Sequence, residues 1–201
     1  MKHADGILAA IGHTPLIRLD RLLEGIGFEL HAKLEALNPA GSAKDRPAFE
    51  ILRQAWEEGA IGVDTVVVES SSGNMGIGLA QACRCFGIRF RCVVDPRTAP
   101  QNLRILEAYG VEVDMVEEPD PDSGEFLQAR LKRVQWHLDR DPRAFWPNQY
   151  ANRNNSLAHY RTTMAEIAEA LDGRVDWLFC ATSTCGSQPF TLTRRSPYPC
   201  R

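Results

Sequence analysis

The stretch TVVVESSSGNMGIGLAQACRCFGIRFRCVVD, residues 65–95, decides the fold of this chain. Its two ends, residues 65–70 and 89–95, are rich in β-branched and apolar residues, which favours strands. Residues 74–87 between them are apolar on nearly every side, as expected of a buried helix. A strand, a helix and a second strand in this order predict a βαβ unit with parallel strands.

The same alternation continues on both sides of this unit. Gly59, Gly87 and Gly110 each stand where a helix should end, as C-terminal caps do. The sequence therefore predicts an α/β fold with a parallel sheet. Apolar periodicity places the remaining strands at 16–19, 29–34, 111–117 and 175–182, the remaining helices at 99–110, 124–140 and 154–171, and a surface loop at 118–124.

Upstream of the unit, residues 38–59 (NPAGSAKDRPAFEILRQAWEEG) predict a loop followed by a helix. Asp45 is the expected helix cap, because Pro47 is tolerated only in a first turn. Lys44 then lies just before the helix, where the positive end of the helix dipole disfavours an ammonium group. Burial there would lower the lysine pKa and free its amine as a nucleophile. The alternative is an ordinary solvated lysine.

Composition excludes several classes of function. The chain has 201 residues, 44% hydrophobic and 24% charged, which is ordinary for one large globular domain or two small lobes. A net charge of −3 gives no electrostatic reason to expect nucleic acid or an anionic membrane as a partner. No apolar run approaches the roughly 20 residues of a membrane span, and residues 1–20 lack a signal-peptide core. The six cysteines form no C-x-x-C pair, so we expect no metal site, no disulfide framework and a cytoplasmic protein.

A serine-rich turn, residues 69–76, lies directly between the strand and the helix of the βαβ unit. In a parallel sheet this is the carboxyl end of a strand, where ligands bind. N–H groups at the start of a helix bind carboxylate or phosphate, although the same residues also make a plain capped turn. A dinucleotide site is disfavoured, because Gly73, Gly76 and Gly78 follow G-x-x-G-x-G rather than G-x-G-x-x-G.

Two further polar segments are candidates for ligand binding. Residues 145–155 are rich in amides, and Gln149 would either donate to a substrate carboxylate or take part in turn and capping chemistry. Ser183, Thr184, Cys185, Gly186 and Ser187 follow the last predicted strand. Their hydroxyls and backbone N–H groups suit a phosphate, and the alternative is a plain turn.

Together these motifs resemble the fold-type II pyridoxal-phosphate enzymes, which include cysteine synthase, cystathionine β-synthase and threonine synthase. The resemblance rests on GSAKDRP around Lys44, SSGNMG at 71–76, NQYAN at 148–152 and STCGS at 183–187. It implies a tryptophan synthase β-like fold, covalent binding of pyridoxal 5'-phosphate by Lys44, and a hydrogen bond from Asn74 to the ring hydroxyl of the cofactor. It also implies a substrate-carboxylate site made by Ser71, Ser72, the backbone at Met75 and Gln149, and a cofactor-phosphate site made by residues 183–187.

The resemblance further implies two lobes with parallel sheets, small amino-acid substrates and, for a full-length member, a homodimer. The smaller, mobile lobe would span 41–144, and residues 1–40 with 145–187 would form part of the larger one. From residue 188 the chain departs from the family, because Pro189, Pro197 and Pro199 prevent the helix expected there. We therefore expect a truncated second lobe, a disordered tail at 188–201, and weak cofactor binding.

Within the family, residues 92–120, 149–155 and His159-Tyr160 resemble the siderophore-pathway branch. That branch joins O-phospho-L-serine and L-glutamate into N-(2-amino-2-carboxyethyl)-L-glutamate, the precursor of 2,3-diaminopropionate. Met75 favours this branch, because cysteine synthases usually carry threonine there. The alternatives are β-replacement of the cysteine synthase or cystathionine β-synthase type, and a catalytically silent cofactor-binding or scaffolding fragment. A serine or cysteine hydrolase is disfavoured by the absence of G-x-S-x-G.

Overall fold

The computed structural model of the chain describes residues 6–22, 25 and 27–181. Three short 3-10 helices, Ile7–Ala10, Asp20–Leu22 and Glu35–Leu37, lie near the N-terminus. The strands are β1 (Leu16–Arg18), β2 (His31–Lys33), β3 (Val66–Ser70), β4 (Arg89–Val94), β5 (Glu112–Met115) and β6 (Ala144–Phe145). The α-helices are α1 (Asp45–Glu57), α2 (Asn74–Phe86), α3 (Pro100–Ala108), α4 (Phe126–Leu138), α5 (Arg153–Arg161) and α6 (Thr163–Ala170).

Strands β5, β4, β3 and β6 form one sheet in that order, and every neighbouring pair is parallel. The βαβ unit predicted from residues 65–95 is therefore confirmed, with Val67 opposite Phe90 and Ser70 opposite Val93. Strand β6 was not predicted, because two residues are too few to show a period. Strands β1 and β2 pair separately and antiparallel.

Strand β3 is buried on both faces, and its alternating side chains enter two cores. Val67 packs in the larger core with residues of α1 and α2, including Leu52 and Leu79. Val66 and Val68 point to the opposite face, where they pack with Val134 of α4. The continuous apolar run of β3 follows from this two-sided burial.

Helix α1 begins one residue earlier than predicted. Lys44 is the N-cap and Asp45 the first helical residue. The Asp45 carboxylate accepts hydrogen bonds from the Ala40 backbone N–H at 2.5 Å and from Ser42 Oγ at 3.2 Å, so it holds the preceding loop rather than capping the helix. The glycine caps are confirmed, since Gly59, Gly87 and Gly110 all have positive φ.

Two predictions in the last third of the chain were wrong. The helix predicted at 154–171 is two helices, because the backbone breaks at Thr162 (φ −118°, ψ −76°) and its hydroxyl donates to the Ala158 carbonyl at 2.6 Å. The strand predicted at 175–182 is absent over residues 175–181. Trp177 and Phe179 are 83% and 85% exposed there, and no strand of the described residues lies alongside to pair with the segment. The loop predicted at 118–124 is confirmed.

Arg46, two residues after Lys44, ties the start of α1 to distant parts of the chain. Its guanidinium donates from Nε and Nη2 to Glu35 at 2.7 Å each, and from Nη1 and Nη2 to Glu166 at 2.6 and 2.9 Å. Lys33 Nζ lies 2.6 Å from the same Glu166 carboxylate. The Arg46 side chain is 1% exposed. We call Arg46, Glu35 and Glu166 the Arg46 clamp.

Some sequence predictions concern residues outside the described part, namely the phosphate site at 183–187 and the tail at 188–201. The division into lobes at 41–144 stays a prediction. Among residues 6–22, 25 and 27–181, no helix combines the length and apolarity needed to cross a bilayer.

Replacing Arg46 by Met keeps much of the side-chain bulk, leaves Glu35 without its ion-pair partner and leaves Glu166 with Lys33 alone. We expect the free energy of unfolding to fall by about 3–5 kcal/mol, because breaking a buried ion pair leaves uncompensated charge. The matched control is Arg53→Met on the same helix, whose pairs with Glu50 and Glu57 are more exposed and worth about 0–1 kcal/mol. Urea denaturation measures both. Equal losses in the two variants would contradict the role given to the Arg46 clamp.

Candidate active site at the carboxyl edge of the sheet

Lys44 is half-buried where helices α1 and α2 meet, and this burial lowers the pKa of its amine. The closeness of the two helices depends on Gly78 of α2. A Cβ at that position would lie 2.9 Å from Ala48 Cβ and 3.2 Å from the Lys44 carbonyl oxygen. Asn74, whose side chain is exposed, lies one helical turn before Gly78 on the same face of α2. That Lys44 and Asn74 share a cofactor site stays a prediction.

The turn before α2 presents backbone donors. Ser71 Oγ accepts the Gly76 N–H at 2.9 Å, and the Gly73 N-cap supplies no side-chain acceptor. Among the described residues, the N–H groups of Asn74 and Met75 donate to no acceptor. Such N–H groups at the start of a helix favour an anion.

Two side chains fix the backbone carbonyls of this turn. Cys92 Sγ donates to the Ser71 carbonyl at 3.2 Å, and Asn102 Nδ2 donates to the Ser72 carbonyl at 3.0 Å. The Met75 side chain is 3% exposed and packs in the larger core. The Met75 side chain is therefore not available to a ligand, and the role of its backbone in the carboxylate site stays a prediction.

Gln149 lies against this turn. Its Nε2 donates to the Ser70 carbonyl at 2.9 Å, and an amide has a second N–H that remains for a ligand. The neighbouring amides have structural roles: Asn152 caps α5 by accepting from Asn154 N at 2.9 Å, and Asn155 Nδ2 donates to the Gln149 carbonyl at 2.7 Å. The turn and capping alternative therefore holds for Asn152 and Asn155, and the binding of a substrate carboxylate by Gln149 stays a prediction.

Sequence reasoning missed His159 as a neighbour of Lys44. Its imidazole is buried, and burial first, then the charge of Lys44, lowers the His159 pKa to about 4. Nδ1 lies 3.1 Å from Thr163 Oγ1. The ring is thus neutral at ordinary pH. The signal in the sequence was its place beside Tyr160, in the stretch that resembles the siderophore-pathway branch.

Arg130 and Tyr150 were also missed. The Arg130 side chain is 9% exposed and its Nε lies 3.2 Å from the Asp95 carboxylate, whereas its Nη1 makes no hydrogen bond to any residue the structure describes. Burial raises the Tyr150 pKa, and the nearby charge of Arg130 opposes this rise. Arg130 belongs to a helix with many charged residues, where a solvated position was the default expectation.

Glu69, at the end of β3, is fully buried. Its carboxylate accepts from the backbone N–H groups of Ser70 (2.9 Å) and Gln149 (3.1 Å) and from Trp146 Nε1 (3.1 Å). Burial is the largest influence on this group and raises the Glu69 pKa to about 7. The sequence placed Glu69 at the strand end and offered no sign of its partners.

The described residues fit pyridoxal phosphate. Lys44 supplies a half-buried amine with a lowered pKa, and Asn74 lies on the neighbouring helix face. The first turn of α2 supplies free N–H donors for the carboxylate of an amino acid. The predicted phosphate residues Ser183–Ser187 lie outside the described part, so they stay a prediction.

Comparison with known proteins agrees with this geometry. The model of the family described as "Pyridoxal-phosphate dependent enzyme" matches residues 7–188. A relative from Ralstonia nicotianae, called N-(2-amino-2-carboxyethyl)-L-glutamate synthase, is 46% identical over 184 residues. That match covers 92% of this chain and 54% of the relative, so the chain spans about half the length of this curated protein.

Solved structures of similar fold carry related names. A hydrogen sulfide-producing enzyme from Fusobacterium nucleatum superposes with a TM-score of 0.85 at 35% identity, covering 93% of this chain and 59% of that one. Cysteine synthase from Entamoeba histolytica gives 0.83 at 33% identity, with 92% and 54% covered. The O-acetylserine dependent cystathionine β-synthase from Helicobacter pylori gives 0.83 at 26% identity, with 92% and 60% covered.

The parallel sheet and the lysine at its helix junction define an α/β chain of the fold-type II class. The chain belongs to the pyridoxal-phosphate dependent enzyme family. The fold class and the cofactor implied by the sequence resemblance are thereby confirmed.

Replacing Gly78 by Ala tests the contact between α1 and α2. Alanine would favour the helix by about 1 kcal/mol, yet its Cβ meets backbone and Ala48, so we expect a net destabilisation of about 1–3 kcal/mol. Gly62→Ala is the control, since nothing lies within 4 Å of a Cβ there. Thermal unfolding compares the two. A stabilised Gly78→Ala variant would show that the helices separate easily and that the contact does not seat Lys44.

Proposed function

We propose that the chain supplies the lysine-bearing part of a β-replacement synthase that joins O-phospho-L-serine and L-glutamate into N-(2-amino-2-carboxyethyl)-L-glutamate. The observation that carries this proposal is the half-buried Lys44 amine beside the free N–H groups of α2. Pyridoxal phosphate, when bound, acts as an electron sink for bond cleavage next to an amino group. The 46% identity to the Ralstonia synthase supports the particular reaction.

Lys44 holds the cofactor and moves a proton. Burial favours the neutral amine, which is the form that attacks a carbonyl carbon. With the cofactor and substrate bound, the free Lys44 Nζ would be the base that accepts the proton from the substrate α-carbon. The neutral His159 ring adds no second positive charge beside it.

The turn before α2 and Gln149 bind the substrate carboxylate. In this proposal Ser71, Ser72 and the N–H groups at Asn74 and Met75 bind the carboxylate, and Gln149 contributes the amide N–H that it does not use on Ser70. Orienting the carboxylate fixes the α-carbon relative to Lys44, and such positioning is a major part of the rate enhancement. Asn74 would hydrogen-bond the ring hydroxyl of the cofactor.

Arg130 and Tyr150 favour substrates with a second anionic group. A buried guanidinium with an unused N–H, next to a phenol, suits a phosphate or carboxylate. O-phosphoserine carries a phosphate and glutamate a second carboxylate, whereas O-acetylserine has neither. The cysteine synthase and cystathionine β-synthase neighbours support the alternative β-replacement reactions, at 33% and 26% identity.

We also propose a metabolic role, a cellular location, an oligomeric state and a lobe division for the enzyme. The product would serve as a 2,3-diaminopropionate and siderophore precursor in the cytoplasm, and the full-length protein would be a homodimer. The smaller lobe would be residues 41–144, with 1–40 and 145–187 contributing to the larger lobe and 183–187 holding the cofactor phosphate. A catalytically silent cofactor-binding or scaffolding fragment is the alternative, and it would not need the Lys44 amine.

Borohydride reduction after incubation with pyridoxal phosphate should attach the cofactor to Lys44, because only this amine combines burial with the predicted motif. Peptide mapping by mass spectrometry measures the label. Lys44→Ala should abolish it, and Lys132→Ala, at an exposed lysine, should leave it unchanged. Label on another lysine, with none on Lys44, would overturn the assignment.

Arg130→Met should weaken O-phosphoserine binding about 10- to 100-fold, since a charged hydrogen bond is worth about 1.5–3 kcal/mol. O-acetylserine affinity should change less than about twofold. Absorbance of the cofactor-loaded chain reports both titrations, with Arg133→Met on the exposed side of α4 as control. Much faster turnover with O-acetylserine and sulfide would instead assign the chain to the cysteine synthases.

A further inference from the structure

Glu69 occupies an unusual place for a carboxylate. It is 0% exposed in the central strand, between two apolar cores. Burying a carboxylate is costly unless its oxygens are satisfied by hydrogen bonds. Here Oε1 accepts Ser70 N–H and Trp146 Nε1–H, and Oε2 accepts Gln149 N–H. Two of these three donors belong to the segment that leads into the predicted carboxylate site.

That segment contains a strained turn. Asn148 has φ +49°, a left-handed conformation that is uncommon for a residue other than glycine. Asn152 Nδ2 and Asn155 Nδ2 hold the carbonyls of Pro147 and Gln149, at 2.9 and 2.7 Å. Glu69 accepts the N–H that follows the strained residue. Side-chain amides therefore hold two carbonyls of the turn, and the buried Glu69 carboxylate holds one of its N–H groups.

Gln149 is held at both ends by consecutive residues of β3. Its backbone N–H goes to Glu69 and its side-chain Nε2 to the Ser70 carbonyl at 2.9 Å. We propose that Glu69 is a positioning residue that orients the Gln149 amide toward the substrate carboxylate. This inference rests on the proposed function, since it assigns Glu69 a role at that same site. Glu69 itself touches no substrate.

Glutamine is an informative replacement because it keeps the size of the side chain. Both oxygens of Glu69 face N–H donors. An amide at position 69 would turn its own N–H groups toward one of these donors, and two donors cannot bond. Glu69→Gln should therefore release the turn at Asn148 while leaving β3 filled.

The first experiment needs no cofactor. Amide hydrogen exchange of the chain, followed by mass spectrometry, measures local opening of residues 146–152. In Glu69→Gln we expect exchange there to be at least about tenfold faster, with β4 unchanged. Glu118→Gln, in the exposed 118–124 loop, is the matched control. Unchanged exchange at 146–152, or equal acceleration throughout the chain, would overturn the proposal.

Trp146→Phe is a milder variant that removes one donor and keeps the carboxylate. It tests the proposal if Glu69→Gln does not fold. Amide exchange of residues 146–152 should then be about two- to fivefold faster than in the unmodified chain, a smaller increase than in Glu69→Gln, because only one donor is lost. No change in this variant would contradict the positioning role.

The second experiment asks whether Glu69 acts through Gln149. In the cofactor-loaded chain, Glu69→Gln alone should lower the affinity for O-phosphoserine about tenfold. When Glu69→Gln is added to a chain that already carries Gln149→Ala, it should lower the affinity less than about twofold. Equal losses in the two backgrounds would overturn the proposal. Reduction should label Lys44 in all variants. Absence of that label in the unmodified chain, with the exchange result intact, would contradict the proposed function alone.

Discussion

The Arg46 clamp is the interaction on which the rest of the site depends. A guanidinium that is 1% exposed lies between the carboxylates of Glu35 and Glu166, which come from opposite ends of the described chain. Even Gly12 is constrained by it, because a Cβ there would lie 3.0 Å from Arg46 Nη1. Two residues upstream of this fixed point stands Lys44. The position of the reactive amine is therefore set by a buried ion cluster rather than by α1 alone.

The Lys44 amine loses its proton more easily because it is partly buried. An opposite charge nearby would raise a lysine pKa, and burial lowers it. The Glu35 and Glu166 carboxylates pair with Arg46, and Glu166 also pairs with Lys33. Among the described residues no carboxylate pairs with Lys44, and burial is the only influence that moves its pKa. The Arg46 clamp thus fixes the start of α1, whereas the lowered pKa of Lys44 comes from burial.

Periodicity predicted most of the sheet and its helices, because β3, β4 and α2 are long and apolar enough for the pattern to decide. It failed where tertiary contacts decide, as at the break before α6 and over residues 175–181. The site residues found from the sequence, Lys44 and Asn74 among them, stand in motifs that resemble a known family. Arg130 and Glu69 have no such motif. A buried guanidinium and a surface one are identical in a sequence, and only packing distinguishes them.

The partly buried Glu166 and the fully buried Glu69 respond differently to pH. Hydrogen bonds from Arg46 and Lys33 overcome the effect of burial and hold the Glu166 pKa down to about 2. Its stabilising contribution is present above the unfolded pKa of a glutamate and is lost only as pH falls toward 2. Burial raises the Glu69 pKa to about 7. The contribution of Glu69 to stability is therefore complete below the unfolded pKa of a glutamate and declines as pH rises through 7. Glu166, which pairs with Arg46 near Lys44, therefore keeps its charge around neutral pH, whereas Glu69, which holds Gln149, changes its charge there.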